Sequence, residues 1–347
     1  MPYGILAADQ IQSSVTGVSL GAGNATRFKN RLINSDMRID QRNAGAAVNP
    51  ANGYSLDRWR TLNTNNTKWN VQQNAGAVTP PTGFTNYLGI TSASAYTPTS
   101  TDTFNIIQRI EGLNIADLGW GTANAKTVTV SFWVRSSLTG TFSGGIQNNA
   151  QDRAYVFSYT ISAANTWEYK TVTIAGDTTG TWLTTNGIGL VLMFNLGVGS
   201  NFMIAPNTWT AGEDYGVLGQ VNLVATNGAT WYVTGVQLEV GESATGFEYV
   251  DYGTQLQMCM RYYQAQSGTN LIGFYTGSAG GSNNYRITNI QLPVWMRTSP
   301  TCTVVGQNTG NAWYFNSVNQ YNLQTAVNIG SNSGEYNVTS WTASAEL

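Results

Sequence analysis

The chain of 347 residues contains no histidine. That removes the commonest general base and the commonest metal ligand together, so Ser–His–Asp and Cys–His mechanisms are excluded. Cysteine is nearly absent as well. Cys259 lies on the apolar face of a predicted helix, and Cys302 follows the Ser299-Pro300 break. Their spacing matches no zinc motif, and two buried free thiols are expected ahead of a disulfide in a protein made in a reducing cytoplasm. Charged residues make up only 10% of the chain, against roughly 25% in ordinary soluble domains. A net charge of −2 and the absence of any Lys/Arg run argue against nucleic acid as a partner. No segment approaches the ~18 apolar residues of a membrane span. The N-terminus lacks a basic stretch followed by an apolar core, so neither membrane insertion nor secretion is expected. Heptads and Gly-X-Y runs are also missing, which excludes a coiled-coil or collagen-like shaft.

What is present is 38 glycines, 12% aromatics and 41% hydrophobic residues, with Asn, Thr, Ser and Gln filling the space that charge leaves. That profile predicts a rigid, turn-rich β protein with a surface of hydroxyl and amide groups, and it is not a disorder profile. The length predicts two domains rather than one. Residues 127–135 alternate Val128, Val130, Phe132 and Val134 against Thr129, Ser131, Trp133 and Arg135, as in an antiparallel strand with one buried face. Residues 187–196 (GIGLVLMFNL) are apolar on both faces, which predicts a central strand. Turn clusters at 163–166, 176–180 and 197–201 have the spacing of an all-β sandwich.

The stretch 230–264 changes its period. Residues 231–240 place Tyr232, Val236, Leu238 and Val240 at alternating positions of a strand. A Gly-punctuated polar crossing follows over 241–253. Leu256, Cys259, Met260 and Tyr263 then fall at i, i+3, i+4 and i+7 of a helix. This predicts the end of one β domain and a helical joint to the next. Strands at 271–275, 285–294, 301–305, 312–315, 322–329 and 336–342 predict a smaller β unit, with Pro293 and Pro300 at strand edges or ends. The expected layout is an N-terminal docking arm (1–26), a sandwich (27–253), a connecting helix (254–264) and a C-terminal β domain (265–347).

Without histidine, an enzyme here would rest on carboxylates, as a glycosidase does. The candidates are Asp57, Glu111, Asp152, Glu168, Asp177, Glu213, Asp214, Glu239 and Glu248, and no spacing singles out a pair. Glu213-Asp214, between Trp209 and Tyr215, is the most suggestive cluster, and a polar loop with incidental acids is the favoured reading of it. No cofactor or metal is expected, since no dense D-x-D-x-D loop exists to hold calcium. Glycan binding fits the composition better, because sugar rings pack their C–H faces on aromatic rings and seek amide and hydroxyl partners. Trp182 and Trp209 in loop-like text, Tyr215 beside the acidic pair, and Trp133 on the polar side of its strand are the glycan candidates. Core or subunit interface is the favoured reading of most of the 11 tryptophans. Tyr3, Ile5 and Leu6 on the arm, with Arg27 and Lys29, are candidate docking residues. A solvated strand face is nonetheless the favoured reading of the trio Arg27, Lys29 and Arg31.

Two blocks carry a resemblance. The closing block holds Gln237, Leu238, Glu239, Gly241, Ala244, Thr245, Phe247, Glu248, Gly253, Leu256, Cys259, Arg261, Tyr262 and Tyr263. The opening block holds Asn30-Arg31-Leu32-Ile33-Asn34, Asp36 to Arg42, and Leu56-Asp57-Arg58-Trp59. Together they bracket roughly two thirds of the chain. The pattern resembles the jelly-roll virion proteins of tailed bacteriophages, which include head-decoration (cement) proteins and receptor-binding fibre or tailspike tips, with the cement proteins of short-tailed cyanophages nearest. The resemblance implies an all-β jelly-roll β-sandwich, similar to carbohydrate-binding modules, followed by the helix and the smaller domain. It also implies a structural, non-enzymatic protein of the virion, assembled as a homotrimer on the major capsid protein or another virion protein. A short arm and no shaft favour the cement role, with weak contact to host-surface glycans beside it. The alternative is a receptor-binding tip that binds host-surface polysaccharide.

Overall fold

The computed structural model describes residues 28–49, 51–276, 285–307, 313–328 and 334–347. The predicted arm, with Tyr3, Ile5, Leu6 and Arg27, lies outside the described residues. In chain order the sandwich strands are β1 (Tyr54–Leu56), β2 (Trp59–Asn63), β3 (Trp69–Gln73), β4 (Leu88–Ser92), β5 (Thr103–Glu111), β6 (Val128–Ser136) and β7 (Gly140–Gln147). They continue with β8 (Ala154–Ile161), β9 (Glu168–Ile174), β10 (Ile188–Val198), the short β11 (Met203–Ile204), β12 (Trp209–Thr210) and β13 (Gly216–Val217), and β14 (Thr230–Val240). A seven-stranded sheet runs β1-β2-β5-β10-β7-β8-β12, and a five-stranded sheet runs β3-β4-β14-β6-β9. All pairings within these two sheets are antiparallel. The chain crosses repeatedly between the two sheets, and the fold is an all-β sandwich of jelly-roll type.

The core lies between the sheets. Val128, Val130, Phe132 and Val134 of β6 meet Phe104 and Ile106 of β5 and Leu190, Leu192 and Phe194 of β10. Each such side chain contributes about 1.5–3 kcal/mol by leaving water. The alternation of β6 thus reads directly as an inner and an outer face. β10, apolar on both sides, sits between β5 and β7 at the centre of its sheet, where a second layer of loop covers its outer residue Met193.

β14 departs from simple alternation. Trp231 and Val233 face the core, then Val236 and Leu238 do, because the register with β6 shifts between Thr234 and Gln237. The extra residue of this bulge inverts the phase of the strand. Tyr232, which period-2 counting places with Val236 and Leu238, therefore lies on the outer face against Tyr87 and Trp167. Val240 is exposed.

The helix α1 (Tyr252–Met260) begins earlier than predicted, capped by the Asp251 side chain accepting from the Thr254 N–H. Tyr263 does not continue it; that residue opens strand β15 (Tyr263–Thr276). The buried helix positions are Gln255 and Cys259, and Cys259 packs with Tyr262, Ile33 and Ile39. The remaining strands are β16 (Tyr285–Gln291), β17 (Thr301–Gln307), β18 (Trp313–Val318), β19 (Asn322–Asn328) and β20 (Gly334–Ser344). They form two three-stranded sheets, β15-β20-β17 and β16-β19-β18. Ile290, Leu292, Leu323, Val338 and Trp341 make a separate small core there. Pro293 and Pro300 fall just outside strands. Both cysteines are free; Cys302 is only half-buried, since β17 is an edge strand. Among the described residues no helix is long and apolar enough to cross a membrane.

The opening and closing blocks interlock. The Asn30 side chain accepts from the N–H groups of Leu32 and Leu238 and donates to Ser35 and to the Val236 carbonyl. The Glu248 carboxylate accepts the N–H groups of Phe28 and Asn30. Asn34 donates to the carbonyls of Ile39 and Asp57, and the indole of the fully buried Trp59 donates back to the Asn34 carbonyl. The stretch 28–36 is therefore irregular backbone fastened to β14, not the solvated strand face expected for its basic residues. Lys29 is buried and donates to Thr245 Oγ1 and the Gly246 carbonyl, while Arg31 is buried against Asp117. Lys29 therefore offers no free charge for docking.

Candidate functional site

The outer face of the five-stranded sheet carries an aromatic groove. On β6 and β9 the register sets Trp133 opposite Tyr169, with ring centroids 5.3 Å apart. Next to them β14 passes its bulge at Gly235, whose φ of +59° lies in the left-handed region. A side chain at that position would put Cβ 2.5 Å from the ring of Phe84, so glycine here both permits the backbone and seats the ring. Phe84 packs at 5.0 Å on Phe247, which packs at 5.0 Å on Tyr249. The resulting groove has a volume of about 370 Å³ and is completed by Thr82, Ser131, Thr245 and Gly246.

The crossing that delivers Phe247 and Tyr249 is held rigidly. Glu239 accepts from the Thr245 N–H and hydroxyl, Gln237 accepts from the Glu248 N–H, and Glu248 is occupied as described. Gln237 and Glu239 are themselves buried. The groove thus presents five rings on a fixed backing with hydroxyls at its edge, and none of its lining residues is charged. Apolar walls with a few placed polar groups are the usual composition of a small-ligand site.

A second cavity of about 250 Å³ lies on the outer face of the seven-stranded sheet. Its apolar lining is Leu62, Ile107, Ile188, Val191 and Met193, and its polar lining is Asn52, Arg60, Arg109, Gln147, Asn148, Asn149, Gln151, Glu213 and Tyr215.

The four tryptophan and tyrosine candidates part company. Trp133 lines the groove, and no acceptor among the described residues takes its indole N–H. Trp182 is only 7% exposed. It meets Trp120 and Trp209 edge-to-face at 4.7 and 5.6 Å, and Trp120 meets Trp209 at 5.4 Å. All three indole N–H groups of this trio are bonded, to the carbonyls of Lys126, Thr179 and Ala175. The loop-like text around Trp182 suggested access; the ring is core, and Trp209 packs partly buried against it. Tyr215 is buried, with its hydroxyl donating to Glu213 and accepting from Gln151. Burial, and then Glu213, raise its phenol well above the ordinary value.

Every carboxylate considered from the sequence is engaged by a neighbour. Glu111 holds Arg261 and Tyr262, Asp177 holds Arg153, and Glu168 holds Lys170. Asp152 accepts from Asn148, Asp214 from Thr210, Glu213 from Tyr215 and Glu239 from Thr245, while Glu248 accepts from the N–H groups of Phe28 and Asn30. Asp57 accepts from the backbone and side chain of Gln41, yet burial outweighs these bonds and raises its carboxyl to about 6.

Phe84, Tyr169, Phe247 and Tyr249 escape a reading of tryptophans in loops. The signal for Tyr169 is present, since it shares the phase of Thr171 and Thr173 in β9 and faces outward with them. Trp295, 64% exposed and stacked on Tyr321 at 5.0 Å, is a further exposed pair, on the C-terminal unit.

No family model matches the chain, and no curated protein does. Among solved structures, it is similar to the enzymatically active domain of tailspike protein 4 of bacteriophage CBA120, at 12% identity and a TM-score of 0.32, over 56% of this chain and 21% of that one. It is also similar to a putative sugar binding protein from Bacteroides thetaiotaomicron, at 13% identity and a TM-score of 0.35, over 61% of this chain and all of that one. A family 11 carbohydrate-binding module from Clostridium thermocellum, in complex with a mixed-linked tetrasaccharide, gives 14% identity and a TM-score of 0.29 over 58% of this chain and 98% of that one. Likeness at this level assigns no ligand, and the fold rests on the strand order and core described above.

Proposed function

We propose that this protein is a non-enzymatic glycan-binding module whose principal site is the groove of Phe84, Trp133, Tyr169, Phe247 and Tyr249. The observation that carries the reading is an uncharged, rigidly backed run of aromatic rings on an open sheet face, edged by Thr82, Ser131 and Thr245 hydroxyls. Ring faces accept the C–H faces of pyranoses, and the hydroxyls and the Trp133 N–H, which has no acceptor among the described residues, serve sugar hydroxyls. The uncharged lining suits neutral chains. The setting, a homotrimer on the surface of a phage particle as head-decoration protein or receptor-binding tip, rests on the resemblance of the opening and closing blocks alone. Display in several copies would convert weak single-site affinity into useful avidity.

Affinity electrophoresis of the full chain through gels cast with neutral polysaccharides tests the site. Retardation by at least one neutral glycan, abolished by Trp133→Ala and by Tyr249→Ala, is the expected result. Retardation that survives both substitutions would remove the groove from the reading. Antibody labelling of imaged virions tests the setting: label on the head supports decoration, label on the tail supports the tip, and unlabelled particles reject both.

A further inference from the structure

We propose that the cleft on the seven-stranded sheet is a second binding site, specific for a carboxylate-bearing sugar residue of the uronic-acid type. The site is independent of the aromatic groove, which lies on the other sheet. Arg60 on β2 is in register with Ile107 on β5, so Arg109, two residues along β5, is its diagonal neighbour on the same face. Two guanidinium groups thus share one wall of the cavity. Among the described residues, the Arg60 guanidinium has a carbonyl acceptor at Nε, that of Asn52 at 3.0 Å, while its enclosed Nη1 finds no partner there. Arg109 donates one Nη1 bond to the Leu347 carbonyl oxygen. Burial first, and the charge of Arg60 next, lower the Arg109 value, against the opposing influence of Tyr54 and Glu346.

The other side of the cleft has the opposite character. Beyond β10, on the β7–β8 side, stand Gln147, Asn148, Gln151 and Glu213. Glu213, the one carboxylate in the lining, is already held by the Tyr215 hydroxyl and Gln151. Two strand spacings, roughly 10 Å, separate β5 from β7. Between the two sides lies the apolar floor of Ile107, Val191 and Met193. A ligand that matches needs a carboxylate at one end, hydroxyls at the other and a C–H face beneath. A uronic acid has all three, and an arginine fork takes a carboxylate in two-point fashion.

The test is calorimetric titration of the full chain with glucuronate, galacturonate and mannuronate oligomers, their methyl esters, and sodium sulfate. At least one free uronate should bind, with affinity about tenfold or more above that of its ester and falling as salt rises. Arg60→Met should abolish this binding and Arg60→Lys should weaken it, because lysine keeps the charge but not the fork. Trp133→Ala should leave it unchanged, which separates this site from the groove. Equal binding of the ester, equal binding of sulfate, undiminished binding by Arg60→Met with its fold intact, or no binding of any uronate would each overturn the proposal.

Discussion

The molecule holds two assemblies of aromatic rings that look alike in the sequence and differ in the fold. Trp120, Trp182 and Trp209 come from Gly- and Thr-rich text and close into an edge-to-face trio whose indole N–H groups all end on backbone carbonyls. Phe84, Trp133, Tyr169, Phe247 and Tyr249 line an open groove, and there the Trp133 N–H finds no acceptor in the described protein. The difference teaches that the polar handle of a tryptophan says more about its role than the residues around it in the chain. A satisfied handle inside a ring cluster belongs to the core, and an unsatisfied one on a sheet face is available to a ligand.

The largest test of this contrast is Trp182→Ala, which should cost about 3–5 kcal/mol of stability in urea unfolding, as large-to-small core changes do. Its affinity for a glycan, measured where the variant is still folded, should stay unchanged; a selective loss of binding would move Trp182 out of the core.

A second test uses pH. The folded value of Asp57, about 6, stands above the unfolded 3.8. Its contribution is fully present below 3.8 and is lost as pH rises through 6, so stability should increase on acidification from 7 toward 4, on the order of 3 kcal/mol. Asp102 works in the opposite sense. Bonds from Thr64, Tyr96 and Thr99 outweigh its desolvation and hold it at about 2, so its contribution is lost as pH falls through that value. Asp57→Asn should flatten the rise between 7 and 4. Glycan affinity should not follow it, since no carboxylate lines the groove; a parallel change in binding would contradict the site.

Gly235→Ala should cost roughly 1–2 kcal/mol for the left-handed backbone alone, and it should also weaken binding by displacing Phe84. The smallest effect on stability, within about 1 kcal/mol, is expected for Trp133→Ala, whose consequence should appear instead as a loss of glycan affinity of about tenfold or more, enough to abolish retardation in the gel.

Much of the sandwich was legible because β strands with one wet face write their period into the sequence. β6 alternates cleanly, and β10, apolar on both sides, announces its central place. The phase inversion of β14 was not legible, since a bulge is one residue of slack and its only trace is a glycine among many. The helix bounds are poorly legible because Tyr263 keeps the apolar spacing while the backbone has already turned to strand. The groove was the least legible part. Its rings come from a loop before β4, two neighbouring strands and the crossing after β14, and only the fold brings them together. The same holds for Arg60 and Arg109, which register alone makes neighbours.

The C-terminal unit is fastened to the sandwich at several places. One is the chain itself, through α1 and the Arg261 and Tyr262 bonds to Glu111. Another is Glu346, which pairs with Arg42 and with the fully buried Arg58 of the opening block. Beside it the Leu347 oxygen accepts from Tyr54 and Arg109, and Arg297 donates to the Asn186 carbonyl. A body hung from one point swings, and a body pinned at several does not. A pull on the C-terminal unit is therefore shared among these anchors, and part of it is carried into the opening block through Glu346. The moorings make the unit a stiff bracket for the exposed pair Trp295 and Tyr321.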